Sequence, residues 1–388
     1  MIKDQFRVAL VVFSVISFFS FEIFEAGFHL LSAYPLDYSW TDLMINYQGG
    51  FVRRGLLGEL AFHLDPYFAA PYFLIAVVLF TYIGVTIWMV TCAMRRATAP
   101  VALLFLLSPT AILFPIYDPA AFGRKDIFIL GAFALTVALI RYIRSTPVVV
   151  VGVFAIYVIA GLNTEATWFY FPLSIATLSL QRLQDTAIHR RLALWVLAST
   201  VATMAFLGMV LTSHPEAMSQ QHLDIINSWR ATYPDAYNNI GALPWIGAPL
   251  HSGWEMVIDH QSHLITLSGY LIGFLLANVP LLLAISNRKM GCDWFSRLEV
   301  LVAVTAMLVA FAAAADWGRY TYLFACHAFM FAIITSDAIE LKPTAITWRA
   351  VSIGCLGLFF LSAWQLKHFA LGGTNPLRPG LIFNGFGL

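Results

Sequence analysis

Charge is what this sequence has least of. Only 11% of its 388 residues are Asp, Glu, Lys or Arg, whereas 60% are hydrophobic. A water-facing surface needs roughly 25% charged residues, so a soluble multidomain enzyme and a disordered chain are both excluded. The charges present nearly cancel, 22 basic against 21 acidic, which excludes a bulk polyanion binder such as a nucleic-acid protein. Cysteine is also scarce: Cys92, Cys292, Cys326 and Cys355 are far apart, with no CxxC pair. That spacing argues against a disulfide framework or a zinc site, and each Cys suits the role of a small hydrophobe. An internal repeat, a low-complexity stretch and a soluble domain are missing as well. No small-residue cleavage site follows the first apolar run, so MIKDQFRVALVVF reads as a retained first span. What remains is an all-α polytopic membrane protein, one integral domain over residues 1–388.

Apolar runs of membrane length predict about eleven transmembrane helices. They fall near 8–30, 72–94, 99–117, 127–144, 147–162, 166–180, 192–212, 263–285, 298–315, 320–336 and 348–366. With the N-terminus in the cytoplasm, 14 of the 22 basic residues lie on the cytoplasmic side, in short loops at span ends; this is the positive-inside pattern. Fusing the fifth and sixth runs would export Arg182, Arg190 and Arg191, so they are read as two helices. Thirteen of the 21 acidic residues fall outside. The two outer loops large enough to fold, 32–71 and 213–262, place any chemistry on the extracytoplasmic face of the plasma (inner) membrane.

Four outer segments stand out. In the first loop, Trp40, Leu43, Met44 and Tyr47 share a helical face, predicting a short interfacial helix through Asp42 and Asn46, capped by Ser39 or Thr41. Gly49-Gly50 ends it, and Arg53-Arg54-Gly55 follows. Two outward arginines flanked by glycines suit an anion clamp, guanidiniums gripping phosphate while the backbone approaches it; they also suit snorkelling to lipid phosphates. The second segment, Asp118 to Asp126, sets Gly123-Arg124-Lys125-Asp126 at the start of a membrane helix, where the dipole favours an anion. There Arg124 and Lys125 hold phosphate or simply pair with Asp118 and Asp126. The third carries Glu165 alone in an apolar hairpin, a costly place for a carboxylate unless it is paired, functional or capping the next helix. In the fourth, Asp316 and Arg319 share a helix face and form an ion pair or offer another phosphate ligand. Glu22, Glu25 and His29 share a face of the first span and are expected to look into the bundle or a wet cavity, not lipid. His260-x-x-His263 is a weak metal signal, and no DxD sequence is present; no cofactor is required, and a divalent metal is an option only.

Outer cations from several loops, acids and abundant Trp and Tyr suit a substrate with a phosphate, a sugar and a greasy tail. Sugar transfer needs a carboxylate to take the acceptor's proton, here Asp42 or Asp37, and cations to stabilise the departing phosphate, here Arg53, Arg54, Arg124, Lys125 and Arg319. Asn46, Asp118, Asp126, Glu165, Asp316 and Glu25 are supporting candidates. An outer, carboxylate-bearing loop straight after the first span resembles the GT-C superfamily of membrane glycosyltransferases. Trp40 to Leu56, Gly123 to Asp126 and Asp316 to Arg319 also resemble segments of multi-pass proteins of bacterial surface-polysaccharide pathways. The resemblance implies a base in the first outer loop, a polyprenyl-phosphate-linked sugar donor, and a glycan or lipid acceptor. The acidic pair usual in that superfamily right after the first span is absent, and Asp37 and Asp42 stand apart. Two alternatives stay open. One is an O-antigen-type polymerase, expected to carry arginine in its large loop, where only Arg230 stands. The other is a transporter or flippase for an anionic lipid or glycan, expected to show broken helices and a repeat.

Overall fold

A computed structural model describes residues 2–34, 38–184, 186–211, 215–237, 241–248, 250–286, 293–336, 357 and 362–380. Asp37, one of the two candidate bases, lies outside the described residues, as does most of the predicted eleventh span.

The helices are α1 (Ile2–Ser32), α2 (Tyr38–Leu43), α3 (Leu56–Leu64), α4 (Ala70–Arg96), α5 (Ala99–Leu106), α6 (Phe114–Tyr117), α7 (Pro119–Phe122), α8 (Asp126–Tyr142) and α9 (Thr146–Asn163). They continue with α10 (Thr167–Arg182), α11 (Ile188–Leu211), α12 (Pro215–Arg230), α13 (Leu243–Ile246), α14 (Leu250–Gln261), α15 (Leu264–Ala277), α16 (Val279–Ser286), α17 (Trp294–Ala313) and α18 (Trp317–Thr335). Strands β1 (Trp364–Leu366) and β2 (Leu377–Pro379) form one antiparallel hairpin, Gln365 opposite Arg378. Among the described residues, five stretches are long and apolar enough to cross a membrane: Phe13–Ser32, Ala70–Arg96, Thr146–Asn163, Leu264–Ser286 and Trp294–Ala313.

Burial sorts these helices into a centre and a rim. α18 is buried on every side from Tyr320 to Ile334 and packs on α4, α8, α10, α15, α16 and α17. α10 is similarly enclosed, with Ser174, Thr177 and Ser179 all fully buried. A helix without an exposed face belongs at the centre of the bundle. α1, α9 and α17 cover it and turn large apolar side chains such as Phe28, Val151 and Leu301 outward. At 19 residues, α18 is roughly 28 Å long, which matches the hydrocarbon thickness of a bilayer.

Four sequence expectations change. The third run is not one helix: α5 stops at Leu106, and turns follow through Ser108-Pro109, because proline lacks an N–H and disfavours helix before it. The eighth run is divided at Asn278, just before Pro280, into α15 and α16. The predicted eleventh run finishes in strand β1 rather than in helix. The helix through Asp42 ends at Leu43, short of Asn46, and is buried rather than interfacial. Thr41 does not cap it; its hydroxyl donates to the Tyr38 carbonyl at 2.7 Å and accepts from the Ala242 N–H at 2.9 Å. That second bond seats the large loop on the first. The fifth and sixth runs are separate helices, α9 and α10, as read from the arginines that follow them.

Candidate functional site

The site forms where α8, α10 and α18 begin, under the loop that joins α2 to α3. That loop turns at Gly50, whose φ of +103° favours glycine, and again at Arg54, whose φ of +70° does not. A non-glycine residue held in the left-handed region stores strain, and such strain concentrates at functional sites. The turn directs Arg54 onto the α9–α10 hairpin. Its Nε lies 2.8 and 3.0 Å from the two Glu165 carboxylate oxygens, and its Nη2 also donates to Glu165. Arg54 Nη1 is 3.6 Å from Asp42 Oδ1. Arg53 Nη1 lies 3.9 Å from Glu165, and Arg53 Nη2 donates to the Trp245 and Ala248 carbonyls. Lys125, 2% exposed at the start of α8, donates through Nζ to the Arg54 carbonyl at 2.6 Å.

One residue further on, Asp126 joins this group to a second. Arg319 Nε and Nη2 grip the Asp126 carboxylate at 2.6 Å each, and Nη1 binds Asp316. Arg124 lays its guanidinium 3.7 Å from the Tyr38 ring centroid, a cation–π contact. Among the described residues it forms no ion pair. Asp118 accepts the His368 N–H at 2.8 Å and lies 2.7 Å from His368 Nδ1, which fastens the C-terminal hairpin beside the site.

These contacts revise several expectations. Arg124 and Lys125 do not pair with Asp118 and Asp126, which belong to His368 and Arg319. Glu165 is not a lone carboxylate, because Arg54 reaches it from 111 residues away. Nor do the arginines form a bare clamp: five cations (Arg53, Arg54, Arg124, Lys125, Arg319) stand among four carboxylates (Asp42, Asp126, Glu165, Asp316). Asn46 is committed elsewhere, its Nδ2 donating to Ser228 Oγ at 2.9 Å. Glu25 and His29 lie 3.8 Å apart on the exposed side of α1, away from the bundle. Phe19, Ile23, Ala26 and Leu30 take the face packed on α4, and the helical period turns Glu25 away from it. Sequence reading missed His368, and also Asn163, whose Oδ1 accepts the Leu57 N–H at 3.0 Å and anchors α3. Neither carries a local signal, since each partner is remote in the chain.

Electrostatics follow from burial and pairing. Burial pushes the Glu165 carboxyl up, but the charge and hydrogen bonds of Arg54, with the Arg53 charge, outweigh it and hold the group well below the usual carboxylate range. Arg54 is raised correspondingly, because Glu165 and Asp42 overcome its desolvation. Lys125 goes the other way: burial, assisted by the Arg54 charge and opposed by Asp42 and Glu165, lowers its ammonium to about 8. Asp316 is held low against its own burial by Arg319, Arg124 and His368, so three separate chain segments share one field. Asp42 is 4% exposed, and its Oδ1 has no hydrogen-bond partner. Among the described residues no group of three His, Cys, Asp or Glu side chains is arranged to hold a metal ion.

The residues from Asp42 to Glu165 all fall inside one family match, whereas Asp316, Arg319 and His368 lie beyond it. No curated protein and no solved structure matches the chain. The match spans residues 8–231, more than half of the sequence, and the chain belongs to the membrane-protein family described as uncharacterised membrane protein Rv1490.

Proposed function

We propose that this protein is a membrane glycosyltransferase that moves a sugar from a polyprenyl-phosphate donor to a glycan or lipid acceptor, working at the extracytoplasmic face. The observation that carries this reading is the buried Asp42 carboxylate, whose Oδ1 accepts no hydrogen bond and faces the Arg54 guanidinium as an ion pair at 3.6 Å. A buried acceptor atom without a donor is costly unless a ligand supplies one. An acceptor hydroxyl does so, and Asp42 takes its proton as the oxygen attacks the anomeric carbon. The bond from that carbon to the phosphate oxygen breaks, and the electron pair leaves with the phosphate. Arg54, Arg53 and Lys125 stabilise the negative charge that develops.

Arg124 is the first contact for the donor phosphate, since it is held by a tyrosine ring instead of a carboxylate. Arg54 and Glu165 each keep 22% of their side-chain surface exposed, which leaves the cluster reachable from outside. An apolar groove of about 420 Å³ between α14 and α17, bordered by Trp254, Ile258, Leu308 and by Trp317, the residue after Asp316, suits a prenyl tail. The test is release of free polyprenyl phosphate from a polyprenyl-phosphate sugar by the purified protein. Turnover by the wild type, lost in Asp42→Asn with donor binding retained, supports the assignment. Full activity in Asp42→Asn removes it. Movement of intact donor across vesicles without any release points to a carrier instead.

A further inference from the structure

The same helices that open the site with their N-termini close a different cavity with their C-termini. Arg96 at the end of α4, Arg141 at the end of α8, and Gln181 and Arg182 at the end of α10 line a space of about 320 Å³ together with Cys92, Thr177 and Ile334. Part of the cationic lining serves the fold. Arg182 Nη2 donates to the Ile140 and Ile143 carbonyls, and Arg96 Nη1 donates to the Ile334 carbonyl at 2.8 Å, so arginines cap the ends of neighbouring helices. Gln181 adds a bond to Ile334 at 3.2 Å.

Capping does not account for Arg141. It is exposed at the cavity mouth, and its contact there is the Tyr142 ring, 5.8 Å away. Among the described residues neither Arg141 nor Arg182 has a carboxylate within ion-pair distance. A guanidinium has five N–H donors, and a carbonyl or two leaves most of them available. Arg141 and Arg182 converge from α8 and α10 on one recess with Arg96 in its wall, a geometry that holds phosphate with several charge-assisted hydrogen bonds. Basic recesses between membrane helices on the side rich in Lys and Arg also suit acidic headgroups.

We infer that this cavity is an anion site for a phosphate group, separate from the Asp42 cluster and at the opposite end of α8 and α10. Its ligand is a phosphate, carried either on an anionic phospholipid headgroup or free in solution. Arg141 is the recognition residue at the mouth, and Arg96 and Arg182 are the fixed inner wall.

The experiment uses the full-length protein in a neutral detergent. Native mass spectrometry measures retention of phosphatidylglycerol against phosphatidylcholine, and thermal unfolding is followed with added sodium phosphate against chloride at equal ionic strength. The lipid source predicts retention of phosphatidylglycerol about tenfold above phosphatidylcholine, the scale of one charge-assisted hydrogen bond, with little response to phosphate. The soluble source predicts a phosphate-specific rise in Tm without lipid discrimination. In either case Arg141→Gln abolishes the preference and Arg141→Lys keeps part of it. Arg141→Gln leaves the unliganded Tm unchanged because, among the described residues, Arg141 bonds no other helix, so loss of binding is not loss of fold. Equal retention of both lipids with no phosphate effect overturns the inference. So does a preference that survives in Arg141→Gln.

Discussion

α8 and α10 carry charge at both ends, α18 only in its first turn, and the two ends treat it differently. At their N-termini, cations and carboxylates from remote segments are interleaved: Arg54 with Glu165 and Asp42, Arg319 with Asp126 and Asp316. At the C-termini of α8 and α10, arginines meet backbone carbonyls and a cavity. The dipole explains half of this contrast, since C-terminal carbonyls attract guanidinium and N-terminal N–H groups attract carboxylate. It does not explain why cations were added to the N-terminal end. A structural pair needs no access, as Arg191 and Glu299 show: they join α11 to α17 with 1% and 2% exposure. Arg54 and Glu165 keep 22% each. Open, strained and surplus in cations, the N-terminal cluster has the attributes of a site, whereas Arg191 with Glu299 has those of a clasp.

The largest effect expected from disturbing this comparison is on catalysis. Changing Asp42 to Asn lowers sugar transfer by about 10³-fold, the scale of lost general-base assistance, with only a small fall in Tm because Arg54 keeps Glu165; a transfer assay beside thermal unfolding checks both. Next comes the exchange of one partner in each pair. Glu299→Ala leaves the buried Arg191 with only the half-exposed Asp293 as a carboxylate partner and costs about 3 kcal/mol, the low end for a buried pair that loses one member. Glu165→Ala costs less, because Arg54 keeps Asp42 and partial solvent, yet it perturbs donor binding, which Glu299→Ala does not. Equal stability losses with no difference in donor binding would erase the distinction between clasp and site.

A smaller effect comes from pH. Lys125 is lowered to about 8 by burial, so the cation is present below that pH and lost above it. Donor affinity therefore falls as pH rises through about 8, and Lys125→Arg removes the step. Stability moves the opposite way. Between pH 8 and the ordinary lysine value near 10.4 the unfolded chain holds the proton that the folded chain has released, so Tm rises across that window. The smallest effect belongs to Glu25→Gln, on the exposed side of α1, which leaves both stability and transfer within error.

Much of this molecule was legible in its sequence because lipid enforces simple rules. Runs of apolar residues marked the long helices, and the arginines after α10 separated α9 from α10. Arg54, Arg124, Lys125 and Arg319 stood out as cations where membrane topology does not require them. What escaped was pairing across the chain. Nothing near Glu165 announces Arg54, and nothing near Asp118 announces His368, which is 250 residues away. Proline effects were legible in principle, at Pro109 and Pro280, but hydropathy averaged over them. Glu25 was misread because its neighbours are apolar on every side, and only packing against α4 decides which face is inner.

The most direct test of the central claim is a cryo-EM map of the protein with a bound polyprenyl-phosphate sugar. Donor phosphate density about 3 Å from the Arg124 and Arg54 guanidiniums, the spacing of charge-assisted hydrogen bonds, with the sugar next to Asp42, is the predicted result. Donor phosphate found only among Arg96, Arg141 and Arg182, with the Arg54–Glu165 and Arg319–Asp126 pairs undisturbed, contradicts it.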